Sequence, residues 1–192
     1  MADPLPIPRF TGARLTLRPH EPADLDAVYE RCLDPDTRRF TTIPLDYTRA
    51  MAEEYLAAIS APQASAISWA IERDGAYAGT IDLRRLATGA GDLGFVTHPR
   101  FRGQGLMTDA VDVVVTYAFE ELGWELVQWK AHAGNWASAK AVWRNGFPVP
   151  TFVPSLLVER DSVVDGWIST LRRGASRAPV VPWEQVVAAL EE

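Results

Sequence analysis

The stretch from Gly91 to Ala110, GDLGFVTHPRFRGQGLMTDA, constrains this chain more than any other. Leu93, Phe95 and Val96 lie between small or polar residues, which predicts a short strand from Asp92 to Thr97. Pro99 has no backbone donor, so the strand must end before it. Arg100, Arg102 and the Gly103-Gln104-Gly105 turn follow. From Leu106 the apolar spacing becomes helical, with Leu106, Ala110, Val113, Tyr117 and Ala118 on one face. A strand, a basic glycine loop and a helix start make an anion cradle. The first helical turn leaves N–H groups unpaired, glycines allow close approach, and the helix dipole favours negative charge.

Two common phosphate loops are excluded. A dinucleotide fingerprint needs a third glycine or alanine where Thr108 stands, and a Walker loop needs Gly-Lys-Ser/Thr. What remains is Arg100-x-x-Gly103-x-Gly105, or else a surface turn that uses glycine for geometry alone.

At 192 residues the chain suits one domain with a sizeable core, or one domain with an appendage. The net charge of -6 argues against a nucleic-acid surface, and no basic tract offers one. The same charge suits a cationic or amine-bearing substrate. A single cysteine, Cys32, excludes an internal disulfide framework and a cysteine-cluster zinc site, so no metal is expected. The start, MADPLPIPRF, lacks a basic segment followed by an apolar one, and no run reaches the ~18 apolar residues of a membrane helix. The expectation is a cytoplasmic protein without membrane contact.

Read in order, residues 1–12 form an extended lead-in, poorly ordered over Met1 to Pro8. Residues 13–172 form the domain and 173–192 a C-terminal tail. Ala13 to Pro19 is a first strand. Glu21-Pro22-Ala23-Asp24 starts a helix running to Leu33, in which Asp24 and Asp26 serve capping and solvation. Asp34 to Tyr47 is a loop or broken helix. A helix capped by Asp46 or Thr48 follows, with Met51, Tyr55, Leu56 and Ile59 as its stripe. Ile67 to Glu72 and Tyr77 to Leu86 pair across Asp74-Gly75, with a bulge near Gly79, and Thr88 to Gly91 turns into the next strand. Trp124 to His132 is a further strand, Leu126, Gln128 and Lys130 on one face and Val127, Trp129 and Ala131 on the other. Asn135 caps a helix that Gly146 stops. Prolines 148, 150 and 154 predict an irregular strand or loop, Ser162 to Leu171 a last strand, and Trp183 to Leu190 a small amphipathic segment. Trp69, Trp129 and Trp143 are expected in the core; some tryptophans are alternatively walls of an acceptor or acyl pocket.

Leu15-Thr16-Leu17-Arg18-Pro19, Asp92-Leu93-Gly94-Phe95, Arg102-Gly103-Gln104-Gly105, and Asn135, Ser138, Gly146 and Phe147 stand in one order. In that order the chain resembles the GNAT N-acetyltransferases, and among them the RimJ/RimL type, from about Arg14 to Leu171. The resemblance implies an α+β, three-layer fold: a mixed, mostly antiparallel, splayed sheet with helices on both faces. It implies acetyl-coenzyme A as co-substrate, lying where Asp92 to Thr97 and Trp124 to His132 diverge. Phe95, Val96 and Thr97 would pair with the pantetheine arm, and Asn135 would touch it. Arg100 and Arg102, with Gly103, Gln104, Gly105, Leu106, Met107 and Thr108, would hold the pyrophosphate. Lys140 either reaches a phosphate or is simply solvated.

The implied reaction is direct attack of a primary amine on the thioester in a ternary complex. Its acceptor is a peptide N-terminus or a small molecule, and a homodimer is compatible with it. Many relatives place a donor tyrosine where this chain has Val142. Ser138, one turn earlier, can donate to the departing sulfur, or it bonds back to its own helix. Asp92 stands where several relatives carry the base, or is a strand-start residue facing water. A glutamate that others carry after Gly-Phe aligns with Leu157, with Glu159 nearby. His98 ends its strand or contacts the coenzyme; His20, His132 and Asp109 read as structural. The alternative is a catalytically weak coenzyme-binding sensor or scaffold.

Overall fold

The computed structural model describes residues 4–87 and 89–191. Strand alternation resolves into one eight-stranded sheet of order β1-β2-β3-β4-β5-β6-β8-β7. The strands are β1 (Phe10–Thr11), β2 (Thr16–Arg18), β3 (Ala66–Arg73), β4 (Ala76–Ala87), β5 (Ala90–Thr97), β6 (Leu126–His132), β7 (Thr151–Glu159) and β8 (Ser162–Arg172). The turn expected to begin at Thr88 starts on a residue outside the described ones. Every neighbouring pair is antiparallel except β5 and β6. A parallel pair needs a crossover, and the helix after the glycine loop supplies it. The mixed, mostly antiparallel sheet of the α+β expectation is present.

Among the described residues six α-helices cover the two faces: α1 (Leu25–Leu33), α2 (Pro35–Arg39), α3 (Arg49–Ser60), α4 (Leu106–Glu120), α5 (Trp136–Trp143) and α6 (Trp183–Glu191). Ile67, Trp69, Ile81, Leu93, Val127 and Trp129 point to one side and pack in a single cluster with Ala110, Val111, Val114 and Ala139 of α4 and α5. Ala70, between Trp69 and Ile71, points the other way and meets Val28, Cys32 and Leu56 of α1 and α3. The period-two pattern thus builds three layers.

Several expectations are corrected by packing. Residues 1–3 of the lead-in lie outside the described ones, and from Leu5 on it is held: Leu5 is buried, its N–H bonds the Gln63 carbonyl at 2.9 Å, and the Pro8 carbonyl takes the Trp69 indole N–H at 2.8 Å. A fully buried indole must find an acceptor, and this segment provides it. Asp24 caps its helix start as expected but is not solvated. It lies buried against Arg18, accepting two parallel bonds of 2.8 and 2.7 Å, while it also takes the Glu21 N–H at 2.9 Å. The Asp34–Tyr47 segment contains α2, started by Pro35 and capped by the Asp34 carboxylate on the Thr37 N–H. The proline-punctuated segment becomes β7, which tolerates Pro154 because it is the sheet's edge strand. The bulge expected near Gly79 is there: Ile71 pairs with Gly79 and Glu72 with Tyr77, leaving Ala78 over.

The feature that positions the site is a divergence. β5 and β6 pair only from Ala90 with Leu126 to Leu93 with Trp129. Beyond that point Gly94–Thr97 stays with β4 and Lys130–His132 stays with β8, so a wedge opens between them.

Candidate active site

One wall of the wedge is the free edge of β5, which leads directly into the glycine loop. His98, fully buried, ends the strand by bonding the Ala78 carbonyl with its N–H at 2.9 Å. Its Nδ1 accepts the Arg100 N–H at 3.3 Å and caps the short turn Pro99–Phe101. Burial pushes this imidazole below its ordinary value, which keeps it neutral and able to accept. Gly103 and Gly105 then adopt φ of 74° and 78°, conformations that β-carbon-bearing residues rarely adopt. Gly105 is the N-cap of α4 and offers no side chain, so the first-turn N–H groups stay open. Nothing lies within 4 Å of where a Cβ on Gly103 would stand. That space is available to a ligand.

A cavity of about 540 Å³ runs from this loop along the wedge. Phe95, Val96, Thr97, Arg102, Gly103, Gly105, Leu106, Met107, Thr108, Asn135, Ser138 and Lys140 all line it, as the sequence led us to expect. Three expected residues do not. Arg100 is exposed and points toward Glu30 at 3.7 Å. Gln104 turns its amide to the Arg100 carbonyl at 3.1 Å, while its own carbonyl takes Arg14. Asp92 lies on the sheet outside the cavity. The opposite wall is Asp36, Thr37, Phe40 and Thr41, from α2 and the turn after it.

Arg102 ties these walls together. Its guanidinium bonds Asp34, reaches Asp36 at 3.3 Å and donates to the Thr37 hydroxyl at 2.9 Å. Burial would raise the Asp34 carboxyl, but bonds from Arg102 and Thr37 outweigh it and hold it below the usual carboxylate range. The side chain expected on pyrophosphate therefore also fastens α2 to the glycine loop.

On α5, the Asn135 carboxamide oxygen accepts the Ser138 N–H at 3.2 Å and starts the helix. The Ser138 hydroxyl accepts the Trp129 indole N–H at 3.0 Å. An indole nitrogen can only donate, so the hydroxyl proton of Ser138 stays free to be given. Its partner is this strand residue and not a carbonyl of its own helix. Val142, where relatives carry tyrosine, is buried in the core.

The face of the sheet opposite α4 is polar along β5 and β6. Asp92 is buried, not facing water. Its Oδ2 accepts Arg84 at 2.9 and 3.2 Å, its Oδ1 accepts Gln128 at 3.1 Å, and the Lys130 ammonium stands 3.8 Å away. It pairs in register with Gln128, at the closed end of the wedge. Four residues farther along β6, about 13 Å toward the open end, His132 presents Nδ1 to the Glu159 carboxylate at 3.5 Å. Phe40 of the α2 turn meets the His132 ring edge-on, with centroids 6.2 Å apart. Arg160 bonds Glu159 and donates to the carbonyls of Arg38 at 2.8 Å and Ile43 at 3.0 Å, fastening the β7–β8 hairpin to the α2 segment. Sequence reasoning took His132 as structural and missed this pair. The alternation of β6 gives His132 the same face as Gln128, but nothing local points to a partner 27 positions on.

The comparisons agree with this geometry. The family described as acetyltransferase (GNAT) domain matches residues 14–148. Among solved structures, an acetyltransferase of the GNAT family from Bacillus anthracis superposes with a TM-score of 0.77 at 15% identity, over 86% of this chain and 98% of that one. A GCN5-related N-acetyltransferase from Brucella melitensis gives 0.74 at 22% identity, over 98% and 87%. A RimL ribosomal-protein alpha-N-acetyltransferase gives 0.73 at 16% identity, over 90% and 95%. A search of curated protein sequences finds no match. The family match spans more than half of the chain and contains the wedge, the glycine loop and the Asn135 helix, and so the chain belongs to the GNAT acetyltransferases, enzymes that transfer an acyl group from coenzyme A.

Proposed function

We propose that this enzyme moves an acetyl group from acetyl-coenzyme A to a primary amine, by direct attack in a ternary complex, as a member of the RimJ/RimL type. The observation that carries the reading is the continuous cavity from the Gly103–Thr108 loop to a Ser138 hydroxyl with its proton free. The residues present fit the coenzyme: open N–H groups and two left-handed glycines for a pyrophosphate, a free strand edge for the pantetheine amides, and Asn135 beside them. When bound, acetyl-coenzyme A supplies the activated thioester.

In this reading the N–H groups of the β5 edge near Val96 meet the charge that grows on the carbonyl oxygen. Ser138 donates its proton to the departing sulfur, and the helix cap on Asn135 keeps that hydroxyl in place. An ammonium has no lone pair, so a base must first take a proton. Asp92 fills that role through a water, since both of its oxygens already accept bonds. A second reading is favoured by a separate observation, the His132–Glu159 pair. His132, backed by Glu159 and standing toward the open end of the wedge, takes the proton itself. The acceptor, a peptide N-terminus or a small amine, meets the α2 segment and the β7–β8 hairpin, whose sequences set its choice.

The test is thiol release from acetyl-coenzyme A with a panel of short peptides and small amines, alongside melting temperatures. Coenzyme should raise the melting temperature, because it binds only the folded chain. Gly103→Val and Gly105→Val should each remove most of that shift. Coenzyme binding without release to any amine would favour a sensor or scaffold instead.

A further inference from the structure

The C-terminal tail, beyond the residues matched by the family, packs behind residues that line the cleft. The Lys140 ammonium lies over the ring of Trp183, 5.2 Å from its centroid. That ring is itself fixed, meeting Trp143 at 5.2 Å and Trp136 at 6.2 Å, while the Trp143 indole N–H bonds the Val181 carbonyl at 2.9 Å. Lys140 lines the cavity, yet among the described residues it has no carboxylate within ion-pair distance. Arg102 and Arg177 differ, the first pairing with Asp34 and Asp36 and the second with Asp112 at 2.8 Å. Arg144, also in the lining, shares with Lys140 the lack of an ion pair among the described residues.

The tail also braces the glycine loop. Arg177 donates to both oxygens of Asn145, at 3.3 and 3.2 Å, and the Asn145 amide donates to the carbonyl of Thr108 in the first turn of α4 at 3.0 Å. Gly146 lets the tail come this close, since a Cβ there would stand 2.1 Å from the Ser176 carbonyl oxygen. A lysine stem is flexible and loses much freedom when its ammonium is fixed. A ring face beneath the ammonium removes part of that cost before any anion arrives.

We infer that the tail is a working part of the coenzyme site, in which Trp183 is a positioning residue that holds the Lys140 ammonium toward a phosphate of the coenzyme. This rests on the reading that coenzyme A occupies the cleft. Calorimetric titration with coenzyme A and with 3′-dephospho-coenzyme A tests both. Lys140→Ala should weaken coenzyme A binding about tenfold, the scale of a charge-assisted contact. Trp183→Leu should weaken it about three- to fivefold, and Trp183→Phe, which keeps a ring face, should restore most of that. In the Lys140→Ala background, Trp183→Leu should add nothing. A loss confined to coenzyme A assigns the 3′-phosphate, and a loss shared by both ligands assigns the pyrophosphate; each agrees with the proposal. Parental affinity in Lys140→Ala, or an undiminished effect of Trp183→Leu in its background, overturns the role of the tail. Failure of the parent to bind coenzyme A overturns the cleft reading itself.

Discussion

On the face of the sheet that carries α4 and α5, β3 and β4 contribute Ile67, Trp69, Ile71, Ile81 and Leu83, all essentially fully buried. On the opposite face the residues between them are Ser68, Ala70, Thr80 and Asp82, and nearby stand Arg18, His20, Asp24 and Asp92, buried as well except for the partly exposed Asp82. One face is held almost wholly by apolar area, the other by a small apolar cluster together with many buried polar groups that need partners. In the proposed reading the coenzyme groups stand on the apolar face and the acceptor groups on the polar one. Packing fixes geometry without regard to pH, which suits a site for an invariant ligand. Charge pairs place groups that can exchange protons, and they make that face sensitive to acid and to single substitutions.

The comparison is broken most sharply at Ser138, which stands on the apolar side and to which the proposed reading gives a chemical role. Ser138→Ala should lower the single-turnover rate about 10²- to 10⁴-fold while coenzyme affinity changes little. It also strands the Trp129 indole N–H, so a loss of about 1–3 kcal/mol in stability should accompany it. Rates within twofold of the parent would assign the proton on sulfur to solvent.

On the polar face, His132→Gln and Asp92→Asn distinguish the two bases. The true one should lose about 10² in rate and the acid limb of its pH profile, with coenzyme affinity kept. The other should keep that limb. An acid limb surviving in both variants would remove both assignments.

Acid should attack the polar face first. Burial pushes the His20 imidazole down to about 4, below its unfolded value. The unfolded chain therefore binds the extra proton first, and stability falls as pH drops from about 6.5 toward 4. The loss is on the order of 2–3 kcal/mol. Below that window Asp24 adds to it: burial would raise its carboxyl, but the Arg18 bonds hold it low, and that stability disappears on protonation. Melting curves of His20→Gln should be flatter between pH 6.5 and 4 than those of the parent; parallel curves would move the acid sensitivity elsewhere.

The smallest effect is expected at the clasp of the acceptor wall. Arg160→Ala frees the carbonyls of Arg38 and Ile43 and should raise the KM for the amine about three- to tenfold, with the coenzyme KM unchanged. Equal changes in both would mean that the hairpin supports the whole domain.

The same division decides how much was legible in the sequence. The apolar face is written locally. A strand, two glycines and a helix lie within Gly91–Ala110, and Asn135 and Ser138 share one turn, so spacing and turn chemistry expose them. The polar face joins residues far apart: Arg102 to Asp34, His132 to Glu159, Arg160 to Ile43. No periodicity links such pairs, because only the sheet order brings them together. Asp24 divides in the same way: its cap on the Glu21 N–H is local and legible, while its burial against Arg18, in place of the solvation expected, depends on the strand before the turn. The tail was opaque in another way. Trp183 reads as part of a small amphipathic segment, and what it packs against depends on where Gly146 lets the chain return.

The central claim is that the coenzyme lies in the β5–β6 wedge with its phosphates on the glycine loop. Backbone amide shifts recorded while acetyl-coenzyme A is added to the labelled protein test it most directly. The largest changes should fall on Phe95–Thr97, Gly103–Thr108 and Asn135–Ser138, with little on α3 or β7. Changes centred on the α1–α3 face, with Gly103, Gly105 and Ser138 unmoved at saturation, would contradict it.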